Sequence, residues 1–267
     1  MRAFLSILLC LVILGACAPT RAAEAPRTPA APVATAPSEA ILVLAASDLQ
    51  FALTELANQY QATTGRQVTV SFGATGNIAT QIENGAPADV FFAADERFLA
   101  NLEEKGLLGD HTRDLYATGR LVITSASSAA FEPKTLQDLT RPELRAIAIA
   151  NPETAPYGFA AKQALQASGV WDQIEPKVVF GENIAGTFQL VQTGNADAGI
   201  VALSVALGVP GTPYTLVDQS LYAPLRQAVA VIKRTKHPVE AQTFINYVNG
   251  HEGRPIMKKY GFALPGE

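Results

Sequence analysis

Ile41-Leu42-Val43-Leu44-Ala45-Ala46-Ser47-Asp48-Leu49 is the stretch on which the fold turns. Six apolar residues in a row, without alternation, describe a strand buried on both faces, and such strands belong to parallel sheets covered by helices. The run passes without a spacer into Ser47-Asp48-Leu49, where a helix begins. Leu49, Leu53, Leu56 and Tyr60 lie on one helical face, and Gly65 ends the segment.

The same alternation continues along the chain. Strands are read at 68–72 and 89–94, with helices after Thr75 and after the N-cap Asp95. A second block has strands at 121–124, 146–150, 177–180 and 198–201, with helices at 158–167 and from Ile184. Residues 228–233 form a further strand, and 239–249 and 252–260 close the chain as helices. Two blocks of alternating strands and helices predict an α/β architecture of mostly parallel sheets with helices on both faces.

Composition fits this reading. The chain has 267 residues, 48% of them hydrophobic, so it can bury a core and is not a disordered polymer. Its formal charge of −4 argues against a nucleic-acid binder, which would carry a basic face. Both cysteines, Cys10 and Cys17, stand at the N-terminus, so the body has no disulfide framework, cysteine zinc site or cysteine nucleophile.

The N-terminus reads as an address. Arg2 precedes an 11-residue apolar run, Phe4 to Leu14, too short for the ~20 residues of a membrane span and suited to a signal peptide. Leu14-Gly15-Ala16-Cys17 resembles a bacterial lipobox, which assigns 1–16 to a signal peptide and Cys17 to a lipid anchor; cleavage after Ala23 is the alternative. Residues 18–38 contain five Pro and eight Ala and read as an extended tether. The body is therefore expected outside the cytoplasm, periplasmic or at the outer face of the cytoplasmic membrane, touching the membrane only through that lipid.

In open α/β sheets a ligand lies beyond the carboxyl ends of the strands, at the helix starts. Those turns are Ser47-Asp48, Ala74-Thr75-Gly76, Pro156-Tyr157-Gly158 and Asn183-Ile184-Ala185-Gly186. None carries Lys or Arg. Helix starts offer unpaired N–H groups and the positive end of a dipole, which suits an oxyanion. Taken singly, a Ser or Thr at such a place is an ordinary N-cap; the set of four is what points to a ligand.

These segments resemble the periplasmic molybdate-binding proteins of ABC importers. The resemblance runs through 45–49, 71–76, Gln81 to Glu96 with its Asn84-Gly85-Ala86-Pro87-Ala88-Asp89 core, 149–158, 196–202 and 259–262, and covers residues 40–264. It implies a two-lobe type II periplasmic binding fold with two hinge crossovers, near 119–124 and 227–233. Lobe I would comprise 40–119 plus 230–267, and lobe II 120–229. It implies molybdate or tungstate held between the lobes, with no other cofactor or metal. Ser47 and Thr75 would supply hydroxyl donors, Tyr157 and either Ile184 or Ala185 backbone donors, and Asp48 would adjoin the ligand. A tyrosine that some members add corresponds to Ala202. The implied partner is a membrane permease, and a monomer is expected.

Asp48 departs from the family pattern, which has Ser or Asn there. A carboxylate ~4 Å from a dianion costs roughly 4 kcal/mol at an effective dielectric near 20. Asp48 either turns aside to cap its helix, or accepts from a protonated oxyanion such as hydrogen phosphate, or faces a different ligand. Phosphate and sulfate therefore stand as alternative ligands, and a lipid-anchored interaction protein without a small ligand as a further one. An enzyme is not indicated. His111, His237 and His251 have no metal-ligand spacing, no nucleophile elbow or P-loop is present, and Glu103-Glu104 reads as a solvated helix face.

Overall fold

The computed structural model describes residues 39–267, so the expected signal peptide (1–16), Cys17 and the expected tether (17–38) lie outside the described residues. The body holds two five-stranded sheets. The first contains β1 (Ile41–Ala46), β2 (Val68–Gly73), β3 (Val90–Ala93), β4 (Asp114–Gly119) and β10 (Leu225–Val231), in the order β2-β1-β3-β10-β4. The second contains β5 (Leu121–Ser125), β6 (Ile147–Ala150), β7 (Val178–Gly181), β8 (Ala198–Ala202) and β9 (Tyr214–Leu216), in the order β7-β6-β8-β5-β9.

The two sheets follow one plan. In the first, β1 pairs in parallel with β2 and β3, and β10 lies antiparallel between β3 and β4. In the second, β6 pairs in parallel with β7 and β8, and β5 lies antiparallel between β8 and β9. Each sheet thus has four strands in one direction and one reversed. The reversed strands, β10 and β5, are the ones that follow a passage from one sheet to the other.

Strand periodicity explains why both faces of the first sheet are covered. Val90 and Phe92 face a cluster containing Leu53, Leu56, Phe244 and Ile245, from α1 (Gln50–Thr64) and α8 (Pro238–Asn249). Their neighbours Phe91 and Ala93 face the opposite cluster with Ile78, Ile82, Leu99 and Leu102, from α2 (Thr75–Glu83) and α3 (Glu96–Glu104). Phe91 and Phe92 are both fully buried, which is why this strand reads as an unbroken apolar run. In the second sheet Ile147 and Ile149 pack with α4 (Pro156–Ala167), while Ala148 turns to Val191 of α6 (Ile184–Gln192).

The crossovers differ in how closely they match expectation. The first is a single residue, Arg120, between β4 and β5. Its guanidinium donates to the Gly261 carbonyl at 3.1 and 2.7 Å, and its own carbonyl accepts from the Leu203 N–H at 2.9 Å. The second was expected at 227–233 with a boundary at 229/230. Instead β10 starts at Leu225 and pairs wholly within the first sheet, so the return passage lies at 217–224. The apolar run from Ala228 marks the middle of that strand: Arg226 is exposed and Gln227 is buried, and the two polar residues hide its beginning. Strands β4 and β9 and the short α7 (Leu203–Leu207) had no counterpart in the sequence reading.

Candidate functional site

Three helices and one 3-10 turn start at the same place. The turn Ser47–Leu49 leads into α1 at the end of β1, α2 starts at Thr75 after β2, α4 at Pro156 after β6, and α6 at Ile184 after β7. Ser47, Asp48, Thr75, Pro156, Tyr157 and Ile184 line one cavity, together with Ala46, Gly73, Ala74, Ala94 and Ala155. Ser47, Asp48, Thr75 and Tyr157 are all buried. No Lys, Arg or His is among the lining residues. The space left to the centre of a water-sized sphere is about 10 Å³, room for roughly one water.

The cavity is small because the two sheets meet across it. The Gly76 N–H donates to the Thr154 carbonyl at 2.9 Å. The Ala185 N–H donates to Ser47 Oγ at 3.2 Å, and Ser204 Oγ donates to the Asp48 carbonyl at 2.7 Å. Gly76 must be a glycine for this approach, since a Cβ there would stand 2.9 Å from the Thr154 carbonyl oxygen. Beside the cavity a wider groove of about 340 Å³ runs between Asp95, Arg97 and Phe98 on one side and Pro152, Glu153 and Phe159 on the other.

The structure brings Ser47, Asp48, Thr75, Tyr157 and Ile184 together at the cavity. Ala185 stands apart, because its N–H is taken up by Ser47 and it is not a lining residue. Thr75 Oγ1 accepts from the Ala94 N–H at 3.1 Å, which leaves its own proton to give. Ala202, at the position of the extra family tyrosine, is fully buried.

Two residues bonded to the cavity's lining escape a reading of the sequence. Gln227 Nε2 donates to Asp48 Oδ2 at 2.8 Å and to Tyr157 Oη at 2.9 Å, and Tyr116 Oη donates to Gln227 Oε1 at 2.7 Å. Gln227 is 0% exposed. A buried amide at the head of an apolar strand is the signal that marks it, since such a group stays buried only with partners. Nothing local marks Tyr116.

Asp48 is the one ionisable group at the cavity with a displaced titration near neutrality. Burial pushes its carboxyl from the ordinary 3.8 up to about 7, against the hydrogen bonds of Gln227 and Tyr157 and the backbone N–H groups of Asp48 and Leu49. Its Oδ1 is buried without a hydrogen-bond partner of good geometry. Tyr116 and Tyr157 are held protonated, by burial first and then by the Asp48 charge beside them. Among the described residues no cluster of His, Cys, Asp or Glu could hold a metal ion. Of the three histidines, His111 and His251 are exposed, and His237 lies 2.9 Å from Glu39. Glu103 pairs with Arg113 at the surface.

Residues 41–263 match the model of a family described as bacterial extracellular solute-binding protein. The chain is 36% identical over 227 residues to the molybdate-binding protein ModA of Azotobacter vinelandii, spanning 84% of this chain and 90% of that one. It is 28% identical to a putative ABC transporter substrate-binding lipoprotein, YvgL, of Bacillus subtilis, spanning 84% and 86%. The solved structure of the Azotobacter vinelandii periplasmic molybdate-binding protein superposes with a TM-score of 0.78 at 30% identity, covering 84% of this chain and 99% of the other. The two sheets with helices on both faces accordingly form an α/β two-lobe type II binding fold, and the chain belongs to the bacterial extracellular solute-binding protein family.

Proposed function

We propose that this protein captures molybdate or tungstate between its lobes and delivers it to the permease of an ABC importer. The observation that carries the reading is the convergence of three helix starts and the 3-10 turn at Ser47 on one cavity whose lining includes no cationic side chain. Such a site holds an anion by N–H groups, hydroxyls and helix dipoles alone. Ser47 and Thr75 supply hydroxyls, and Tyr157 and Ile184 backbone N–H groups. Ala185 would join them once its bond to Ser47 opens. Local donors also reconcile an acidic chain with an anionic ligand, because the long-range field fades over ~8–10 Å in salt. The relatives named for molybdate support the choice of ligand.

The cavity has room for about one water, so a tetrahedral anion enters only when the lobes part and the Gly76–Thr154 and Ala185–Ser47 bonds loosen. On this reading the protein performs no catalysis and works as an exported monomer. Cys17 is its lipid anchor, as the lipoprotein name of the Bacillus subtilis relative favours.

Titration calorimetry with molybdate, tungstate, sulfate and phosphate tests the proposal. Dissociation constants below about 1 μM for the two metal oxyanions, with sulfate silent, are expected. Absence of heat with both metal oxyanions contradicts it. A second reading rests on the unpartnered Asp48 Oδ1, which as a carboxylate oxygen would accept the O–H of hydrogen phosphate; phosphate alone giving heat selects that reading. No heat with any anion points to an interaction protein without a small ligand.

A further inference from the structure

Asp48 is the only acidic residue among those lining the cavity, and it is 1% exposed. An ionised carboxylate beside a dianion in so dry a place is costly, and no cation lines the cavity to offset it. The hydrogen bonds around it say where a proton would go. Tyr116 donates to Gln227 Oε1, so the amide nitrogen of Gln227 is the end turned on Asp48. Gln227 Nε2 therefore donates to Oδ2, which must be the accepting oxygen of the carboxyl. Tyr157 and the backbone N–H groups of Asp48 and Leu49 also face the carboxyl, but Oδ1 is the oxygen left without a hydrogen-bond partner of good geometry, so a proton on Asp48 sits there. Among the groups packed against Asp48, Tyr116 on β4 and Tyr157 on α4 are protonated phenols, while Gln227 on β10 and Ser204 on α7 do not titrate.

We infer that Asp48 binds the oxyanion as a neutral acid, donating a hydrogen bond from Oδ1, so that capture of a fully deprotonated dianion takes up one proton. The proton comes from solvent when Asp48 is ionised in the free protein and is released when the anion leaves. The carboxyl and the anion thus share one proton between them. A ligand that brings its own, such as hydrogen phosphate, finds Asp48 as acceptor instead and needs no uptake. This inference rests on the oxyanion reading above and adds a specificity determinant: acidity favours ligands that carry no proton.

The test is calorimetric titration of the purified protein with sodium molybdate from about pH 6 to about pH 9, in buffers of differing ionisation enthalpy, for the wild type and Asp48→Asn. The wild type should take up close to one proton at the alkaline end, with affinity falling toward tenfold per pH unit above about pH 7. Asp48→Asn, which keeps a donor at this position, should take up none and hold one affinity across the range. Should the variant fail to fold, proton uptake by the wild type decides alone. Molybdate bound by the wild type with flat affinity and no uptake overturns the proton-sharing account while leaving the oxyanion reading intact. No molybdate binding at any pH overturns both.

Discussion

Gln227 Nε2 lies 2.8 Å from Asp48 Oδ2, although 179 residues separate the two in sequence. The bond joins the strand that returns from the second lobe to the first turn of the first lobe. Its Asp48 end lines the cavity, and through Tyr157 it reaches the second lobe as well. The polar interior of this protein is therefore also the joint between its lobes.

Asp48 should make stability depend on pH in an unusual direction. Its carboxyl titrates at about 7 in the folded chain against 3.8 ordinarily. Between those values the folded state holds a proton that the unfolded state has lost, so stability falls as pH rises from about 4 to about 7 and then levels. The effect is bounded at on the order of 4 kcal/mol. Asp48→Asn removes it. Urea unfolding of ligand-free protein should show the variant gaining on the wild type between pH 5 and pH 8; parallel curves would argue against a buried, neutral Asp48.

Thr75 keeps its hydroxyl proton available while accepting from Ala94. Thr75→Val removes the donor and strands the Ala94 N–H. Molybdate affinity should fall by ~1–3 kcal/mol, roughly 5- to 150-fold, as read by calorimetry. Unchanged affinity would take Thr75 out of the site.

Gly76 tests whether the contact across the cleft serves binding. A Cβ there meets the Thr154 carbonyl at 2.9 Å, its Cα at 3.3 Å and the Phe98 ring at 3.4 Å. Gly76→Ala should hold the lobes apart, weakening ligand affinity while the ligand-free melting temperature changes little. A loss of stability with affinity retained would mean that the glycine serves folding alone.

Gly119 guards the polar network. A Cβ would lie 2.0 Å from Tyr157 Oη and 2.7 Å from Gln227 Nε2, both too close to tolerate. Gly119→Ala should displace one of them and destabilise the chain by ~1–3 kcal/mol, measured by chemical denaturation.

Local chemistry explains what could be read from the sequence. Val90, Phe91, Phe92 and Ala93 announce a strand buried on both faces, and the turns at Ser47, Thr75, Tyr157 and Ile184 follow such strands directly, so the end of each lobe that lines the cavity was legible. The network under that end was not. Tyr116 lies on a strand whose pattern is too weak to identify, and it meets Gln227 111 residues away. The return crossover was misplaced for a related reason: Gln227 looks like the edge of a strand until its partners Asp48 and Tyr157 are known. That the N–H of Ala185 is engaged by Ser47 from the other lobe, while Ile184 lines the cavity, also could not be read without the fold.

Where the anion sits is the central question for this protein. A crystal of the protein grown with tungstate, examined by anomalous diffraction, locates the heavy atom without assumption. The predicted result is one strong peak enclosed by Ser47, Thr75, Tyr157 and Ile184, within hydrogen-bonding reach of Asp48. A peak elsewhere on the chain, or none at saturating tungstate, would contradict it.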